Sequence, residues 1–247
     1  MAERLRVEIL RPAPERYAYL LIDERERSAT AVDPGDGRLA LEAARREGVH
    51  LVAVLVTGAS PQAAPSEELL ARAGPLRVFG AAADAERIPG LTDALGDGDA
   101  VRLGRFRAVA RLASEAPGEP VVYYFGSEKT AFSGEALAPL ASDVASSVER
   151  ARARADRIAA LPEETLVYAS AEATVAALEL ALALEPENRA ASDKLAWARS
   201  RIAQGRSTVP TTVGAERATN PLVRLAPELL RARLAALAGE RERLALV

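Results

Sequence analysis

The stretch "VHLVAVLVTG" (49–58), continued by "ASPQAAPSEELL" (59–70), decides how this chain is read. Its first part is nearly all apolar and β-branched, as a strand covered on both faces should be. Its second part is a loop that leads into a short amphipathic helix. A strand that ends at a sheet edge before a loop and a helix is where α/β proteins commonly place their chemistry. This loop nevertheless carries only Gly, Ala, Ser, Pro and Gln, with no group that binds a metal strongly, moves a proton or attacks a carbonyl.

Working outward, the flanking segments support an α/β pattern. Upstream, "LRVEIL" (5–10), "YAYLLID" (17–23) and "SATAVDPG" (28–35) read as strands, the last stopped by Pro34 and Gly35. "GRLALEAARREG" (37–48) sets Leu39, Ala40, Ala43 and Ala44 on one helical face, with Gly48 where a C-cap is expected. Downstream, "PSEELLARAG" (65–74) is a helix capped by Ser66 and closed by Gly74, followed by the strand "LRVFGA" (76–81). After a turn-rich stretch, "DAVRLGRFRAVARLA" (99–113), "PVVYYFG" (120–126) and "TAFSGEAL" (130–137) read as a second, largely antiparallel set of strands. Two sheet-forming halves with helices between and outside them predict a layered α/β sandwich.

A helix at 143–162 and a last strand, "TLVYAS" (165–170), precede a change of pattern. From there "EATVAALELALALEP" (172–186), "NRAASDKLAWARSRIAQG" (188–205) and "APELLRARLAALAGERERL" (226–244) have helical periodicity. The expected domains are therefore a sandwich over 1–171 and a helical C-terminal subdomain over 172–247.

Composition narrows the chemistry. The 247 residues include no Cys and one His, His50, so thiolate nucleophiles, disulfides and His-rich metal clusters are excluded by counting. The net charge of -3, with Arg interleaved among Glu and Asp, argues against nucleic acid as a partner. The opening "MAERLRVEIL" has no apolar run of signal-peptide length, and no stretch approaches the roughly 20 apolar residues of a membrane span. A cytoplasmic location with no membrane partner is expected.

Several stretches together resemble the glyoxalase II (hydroxyacylglutathione hydrolase) family of the metallo-β-lactamase fold. They are "YAYLLID" with "AVDPGD", "RIPGLTDALGDGDAVRLG" (87–104), "ALPEETLVYAS" (160–170), and, most specific, "LAWARSRIAQG" (195–205), "TVPTTVGAE" (208–216) and "ATNPLVR" (218–224). The resemblance implies a four-layer αββα sandwich with a helical C-terminal subdomain. It also implies a binuclear metal centre and hydrolysis of S-D-lactoylglutathione by metal-bound hydroxide.

Carried over residue by residue, that metal centre is eroded. The family's T-H-x-H-x-D-H motif keeps Thr57, but its ligand positions hold Gly58, Ser60, Gln62 and Ala63. The alignment through "ASEAPGEP" (113–120) puts Glu115 at the next ligand and Glu119 at a later, non-ligand His. Glu135 stands in for the bridging Asp, and Ala171 replaces the last His, although Glu172 and Thr174 persist. On the substrate side, the glycine-rich loop is replaced by "APLASDVASS" (138–147), a Tyr by Ala173, and a basic pair survives only as Arg241, with Ala238 at its other position.

The expected reading is thus a catalytically inactive homologue that binds an unknown small ligand or protein partner, with no zinc or iron. The alternatives are a hydrolase of altered, carboxylate-based chemistry and residual thioesterase activity of the S-D-lactoylglutathione type. The former would work with or without a weakly held Mg or Ca, for which Glu115 and Glu135, with Gln62 and Asp33, are the candidate oxygen ligands. Glu is one methylene longer than Asp, which moves a bridging oxygen by roughly 1 Å, a misplacement that can reduce a rate ~10²-fold. Asp33 is expected to stabilise its own turn, and Glu115 and Glu135 to be solvated or Arg-paired. His50 should lie at the strand end opposite the loop, leaving Ser60 and Ser133 without a base. Trp197 is expected to pack against the sandwich, and "ERARARAD" (149–156) to be a solvated helix face.

Overall fold

The computed structural model describes residues 5–138 and 148–245, with side chains described as far as Ala238. By contacts the chain divides into two compact units, 1–136 with 167–171, and 137–166 with 172–247.

In the first unit, β1 (Arg6–Ala13), β2 (Arg16–Asp23) and β3 (Ser28–Val32) run antiparallel, and β3 then pairs in parallel with β4 (His50–Leu55) across α1 (Arg38–Glu47). Beyond α2 (Glu67–Ala73), β5 (Arg77–Ala81) and β6 (Asp93–Leu95) complete a six-stranded sheet in simple sequence order. The turn-rich stretch thus contains a strand, β6, too short for its periodicity to register.

The local reasons are those expected. Gly48 ends α1 in a left-handed conformation at φ 66°, and Ser66 caps α2 by accepting the Leu69 N–H. Ala40, Ala43 and Ala44 of α1 and Leu69 of α2 are buried with Leu20, Ile22, Ala31, Val54 and Val56 of the sheet region. Their small side chains let α1 lie close to the strands.

The second sheet begins with an antiparallel meander, β7 (Ala100–Leu103), β8 (Phe106–Arg111), β9 (Val122–Phe125) and β10 (Thr130–Gly134), and β11 (Leu166–Ala169) lies beside β10. Between the sheets sits an aromatic cluster. Tyr19, Phe132 and Tyr168 have ring centroids 5.1–5.3 Å apart, and the buried Tyr123 hydroxyl donates to the Val56 and Phe79 carbonyls. These rings supply large buried apolar areas, and the phenol ties one sheet to the other without leaving a polar atom unpaired. This is the expected two-sheet sandwich.

The second unit holds α3 (Val148–Ala159), α4 (Thr174–Leu184), α5 (Arg189–Ala203), β12 (Thr211–Thr212), α6 (Val213–Thr219), α7 (Pro221–Arg224) and α8 (Pro227–Ala245). The expected helix at 143–162 is described only from Val148. Val148 and Ala155 of α3 share a core with Leu184, Leu222, Leu225, Leu230 and Leu234. Arg152 was expected on a solvated face; its guanidinium instead donates to the Leu225 carbonyl at 2.6 Å.

Trp197, expected to be packed, is largely solvent-facing. It is 43% exposed on α5, with the Arg201 guanidinium 5.2 Å from its ring, because the buried face of α5 is formed by Ala191, Leu195 and Ala198. Among the described residues no helix is long and apolar enough to cross a membrane.

Candidate functional site

The loop after β4 begins at Thr57, which is 3% exposed and fixed from three sides. Its N–H and hydroxyl donate to the two carboxylate oxygens of Asp33 at 2.8 and 2.6 Å, and its carbonyl accepts the Val121 N–H. The sequence reading of Asp33 as the stabiliser of its own turn is therefore corrected: its carboxylate serves the loop after β4. The turn after β3 is closed by backbone bonds, Gly37 N–H to the Pro34 carbonyl and Ser66 N–H to the Gly35 carbonyl, so the carboxylate is free to reach the loop. Asp33 is 2% exposed, and burial pushes its carboxyl up to about 6 despite the two Thr57 hydrogen bonds; nearby Glu135 adds to the rise and Arg16 opposes it.

Past Thr57 the chain folds back on itself. Ser60 accepts the Ala63 and Ala64 N–H groups, and both alanines are 6% exposed and packed into the first sheet's core. Gly58 and Ser60 are half-buried and Gln62 is exposed. On the opposite side β10 ends at Gly134, where a Cβ would lie 2.4 Å from the Thr57 hydroxyl; only glycine lets the strand pass, and its φ of 54° also favours glycine.

Glu135 follows immediately, and its carboxylate pairs with the Arg16 guanidinium at 2.7 Å. Arg16 also bridges Ala171 through its backbone, while Tyr17 donates its N–H to the Ser170 carbonyl and Ser170 donates to the Gly134 carbonyl. Arg16 thus lies between Glu135 and Ala171.

The structure brings together Asp33, Thr57, Gly134, Glu135, Arg16 and Ala171. It places Glu115, which is exposed, over the turn at Gly96, whose added Cβ would meet the Glu115 carboxylate at 3.5 Å. Among the described residues no group of three or more His, Cys, Asp or Glu side chains is placed to hold a metal ion. Ser133 is fully buried, with its hydroxyl 3.4 Å from the Tyr168 carbonyl, and His50 is exposed at the start of β4, away from the loop at its end. Glu119 is buried at 2% exposure. Sequence reasoning missed Arg16, because its partners Glu135 and Ala171 are more than a hundred residues away. Arg241 lies in α8, with its side chain outside the described residues.

The fold is that of the metallo-β-lactamase group. The protein of the structure titled ETHE1 from Myxococcus xanthus superposes with a TM-score of 0.64 at 21% identity, covering 92% of this chain and 88% of that one. A metallo-β-lactamase from Staphylococcus aureus superposes with a TM-score of 0.67 at 12% identity, over 92% of this chain and 66% of its own.

Sequence comparison narrows the class. Residues 172–245 match the family model described as hydroxyacylglutathione hydrolase C-terminus. The hydroxyacylglutathione hydrolase of Chromohalobacter salexigens is 35% identical over 88% of this chain and 86% of its own length. A protein of Arabidopsis thaliana named hydroxyacylglutathione hydrolase cytoplasmic is 31% identical over 85% of this chain and 84% of its own. The chain belongs to the hydroxyacylglutathione hydrolase family.

Proposed function

We propose that this protein is a catalytically inactive member of that family, retained in the cytoplasm as a binding or interaction protein. The observation that carries the reading is the donor set around Thr57. The positions that resemble the family's loop ligands hold Gly58, Ser60, Gln62 and Ala63, and Ala63 is buried in the core rather than turned to the site.

The carboxylates that remain are already engaged. Both oxygens of Asp33 accept from Thr57, and Glu135 is neutralised by Arg16. A hydrolytic metal pair needs several imidazoles or carboxylates converging in fixed geometry, with a position left open for water. The residues here do not fit such a pair. A guanidinium lies against the carboxylate that would bridge the two ions, and a cation beside it would be repelled. Glu115 lies over the Gly96 turn while Glu135 pairs with Arg16, and among the described residues neither belongs to a group of three or more such side chains placed to hold a cation, which argues against the carboxylate-only Mg or Ca site.

The test is elemental analysis of the full-length protein purified from zinc- and iron-supplemented medium, with an S-D-lactoylglutathione hydrolysis assay on the same sample. The expected result is substoichiometric transition metal and no hydrolysis above the buffer rate, with or without added Mg or Ca. Stoichiometric zinc or iron accompanied by turnover would overturn the reading, and turnover supported by Mg or Ca alone would replace it with a carboxylate-based hydrolase.

A further inference from the structure

Strands β7 and β8 form the edge hairpin of the second sheet. Phe106, Ala108 and Ala110 of β8 are buried, so Arg107, Val109 and Arg111 share the opposite face. The register places Val109 opposite both Ala100 on β7 and Tyr124 on β9, and Tyr124 opposite Ala131 on β10. An apolar row with one tyrosine therefore crosses four strands, exposed at Ala100, half-buried at Val109 and Tyr124 and fully buried at Ala131. Arg102 and Arg107, exposed and directly opposite one another, flank this row on one side. Arg111, opposite Val122, flanks it on the other.

Like charges facing each other across an antiparallel pair are destabilising. Here nothing offsets them: among the described residues no carboxylate pairs with Arg102, Arg107 or Arg111, whereas the neighbouring Arg105 is paired with Asp23 at 3.1 Å. The carboxylates at the start of the hairpin are held by backbone, Asp97 by the Leu112 N–H and Asp99 by the Gly96 N–H. A charge on an edge strand also deters unwanted strand pairing. One arginine on β7 does that, and it does not call for a second directly opposite on β8.

We infer that the outer face of the β7–β8 hairpin, bordered by the half-buried Tyr124 of β9, is a docking surface for an acidic, extended segment of a partner protein. Its carboxylates pair with Arg102/Arg107 and with Arg111, and an apolar side chain between them lies on the row at Val109 and Tyr124. Arg107 and Arg111 are four residues apart on one strand, about 13 Å. Residues i and i+4 of an extended segment span the same length, with residue i+2 facing the row. Nucleic acid fits less well: the chain is net negative at -3, and the cationic groups are interrupted by apolar surface rather than forming a continuous track.

The test is fluorescence anisotropy with the full-length protein and a labelled peptide carrying the core Glu-Thr-Val-Thr-Glu. A Lys-Thr-Val-Thr-Lys peptide, a short DNA duplex and phosphatidylserine vesicles serve as competitors of other chemistry. The acidic peptide is expected to bind and to weaken at least about tenfold between 50 and 300 mM NaCl, while the lysine peptide does not bind. Arg102→Glu creates an opposite-charge pair with Arg107. It should weaken the peptide at least about tenfold and raise Tm by roughly 1–3 °C, a combination that mere misfolding cannot give. Arg111→Ala should weaken the peptide with Tm unchanged. Absence of acidic-peptide binding, DNA or vesicles bound more tightly than the peptide, binding indifferent to Arg102→Glu, or a lowered Tm in that variant each overturns the inference. The hydrolysis assay reads the loss of catalysis separately, so the two proposals fail independently.

Discussion

Asp33 shows how one residue can hold the candidate site while being poorly suited to burial. Its carboxylate gains two hydrogen bonds from Thr57, yet burial outweighs them and holds the folded-state value near 6, above its ordinary 3.8. A carboxyl raised in the folded state contributes stability that is present below the unfolded value and is lost as pH rises through the folded one. The window runs from about pH 4 to pH 7, and the loss across it is about 3 kcal/mol for a shift of this size. Asp33→Asn keeps an oxygen for the Thr57 N–H, adds an amide donor for its hydroxyl, and suits the positive φ of 49°. Urea titrations of wild type and Asp33→Asn at pH 5 and pH 7 should differ in pH response by about 1–1.5 kcal/mol, with wild type losing more stability as pH rises. Equal responses would show that Asp33 does not titrate in this range. Nothing local announced this role: in sequence "DPGD" is a turn, and Thr57, the partner that matters, lies 24 residues on.

At the scale of elements, the loop after β4 is set by what passes over and under it. Gly134→Ala would drive a methyl into the Thr57 side chain at 2.4 Å and add strain at φ 54°. Overpacking of this kind costs about 1–3 kcal/mol, so Tm should fall by several degrees. On the other side, Ala63 is 6% exposed among Leu20, Val54 and Leu69. Ala63→His, which would place an imidazole in the loop after β4, should lower Tm by at least a similar amount, because a ring and two polar atoms enter an alanine's space. Calorimetry of both variants checks these expectations; a tolerated histidine at 63 would mean that the loop can still turn a ligand outward.

The same elements mark what the sequence could say. The apolar run of β4, the small-residue face of α1 with Gly48, and the Ser66 cap were legible because their determinants lie within one element. That the chain has a single imidazole was legible by counting. Strand β6, at three residues, was not, because such a segment completes less than two periods of alternation. The Arg16–Glu135 pair joins residues 119 apart, and the opposed Arg102 and Arg107 emerge only once the hairpin register is known.

For the whole molecule, the proposed function implies a fold held by its own side chains. Each unit has a hydrophobic core of its own, one around α1, α2 and the first sheet, the other joining α3 to Leu222, Leu230 and Leu234. Around Thr57, the loop is fixed by the Asp33 clamp, the Gly134 crossing and the Arg16–Glu135 pair. A metal bound only to the folded state at a thousand times its Kd contributes about 4 kcal/mol, and its removal would lower Tm by roughly 10 °C in a chain of this size. A protein that does not rely on such a metal keeps its Tm in excess EDTA and gains nothing from added zinc. Differential scanning calorimetry in both conditions distinguishes the cases: a chelator-induced fall approaching that size would show that a cation, rather than Arg16 and the Asp33 clamp, holds the loop.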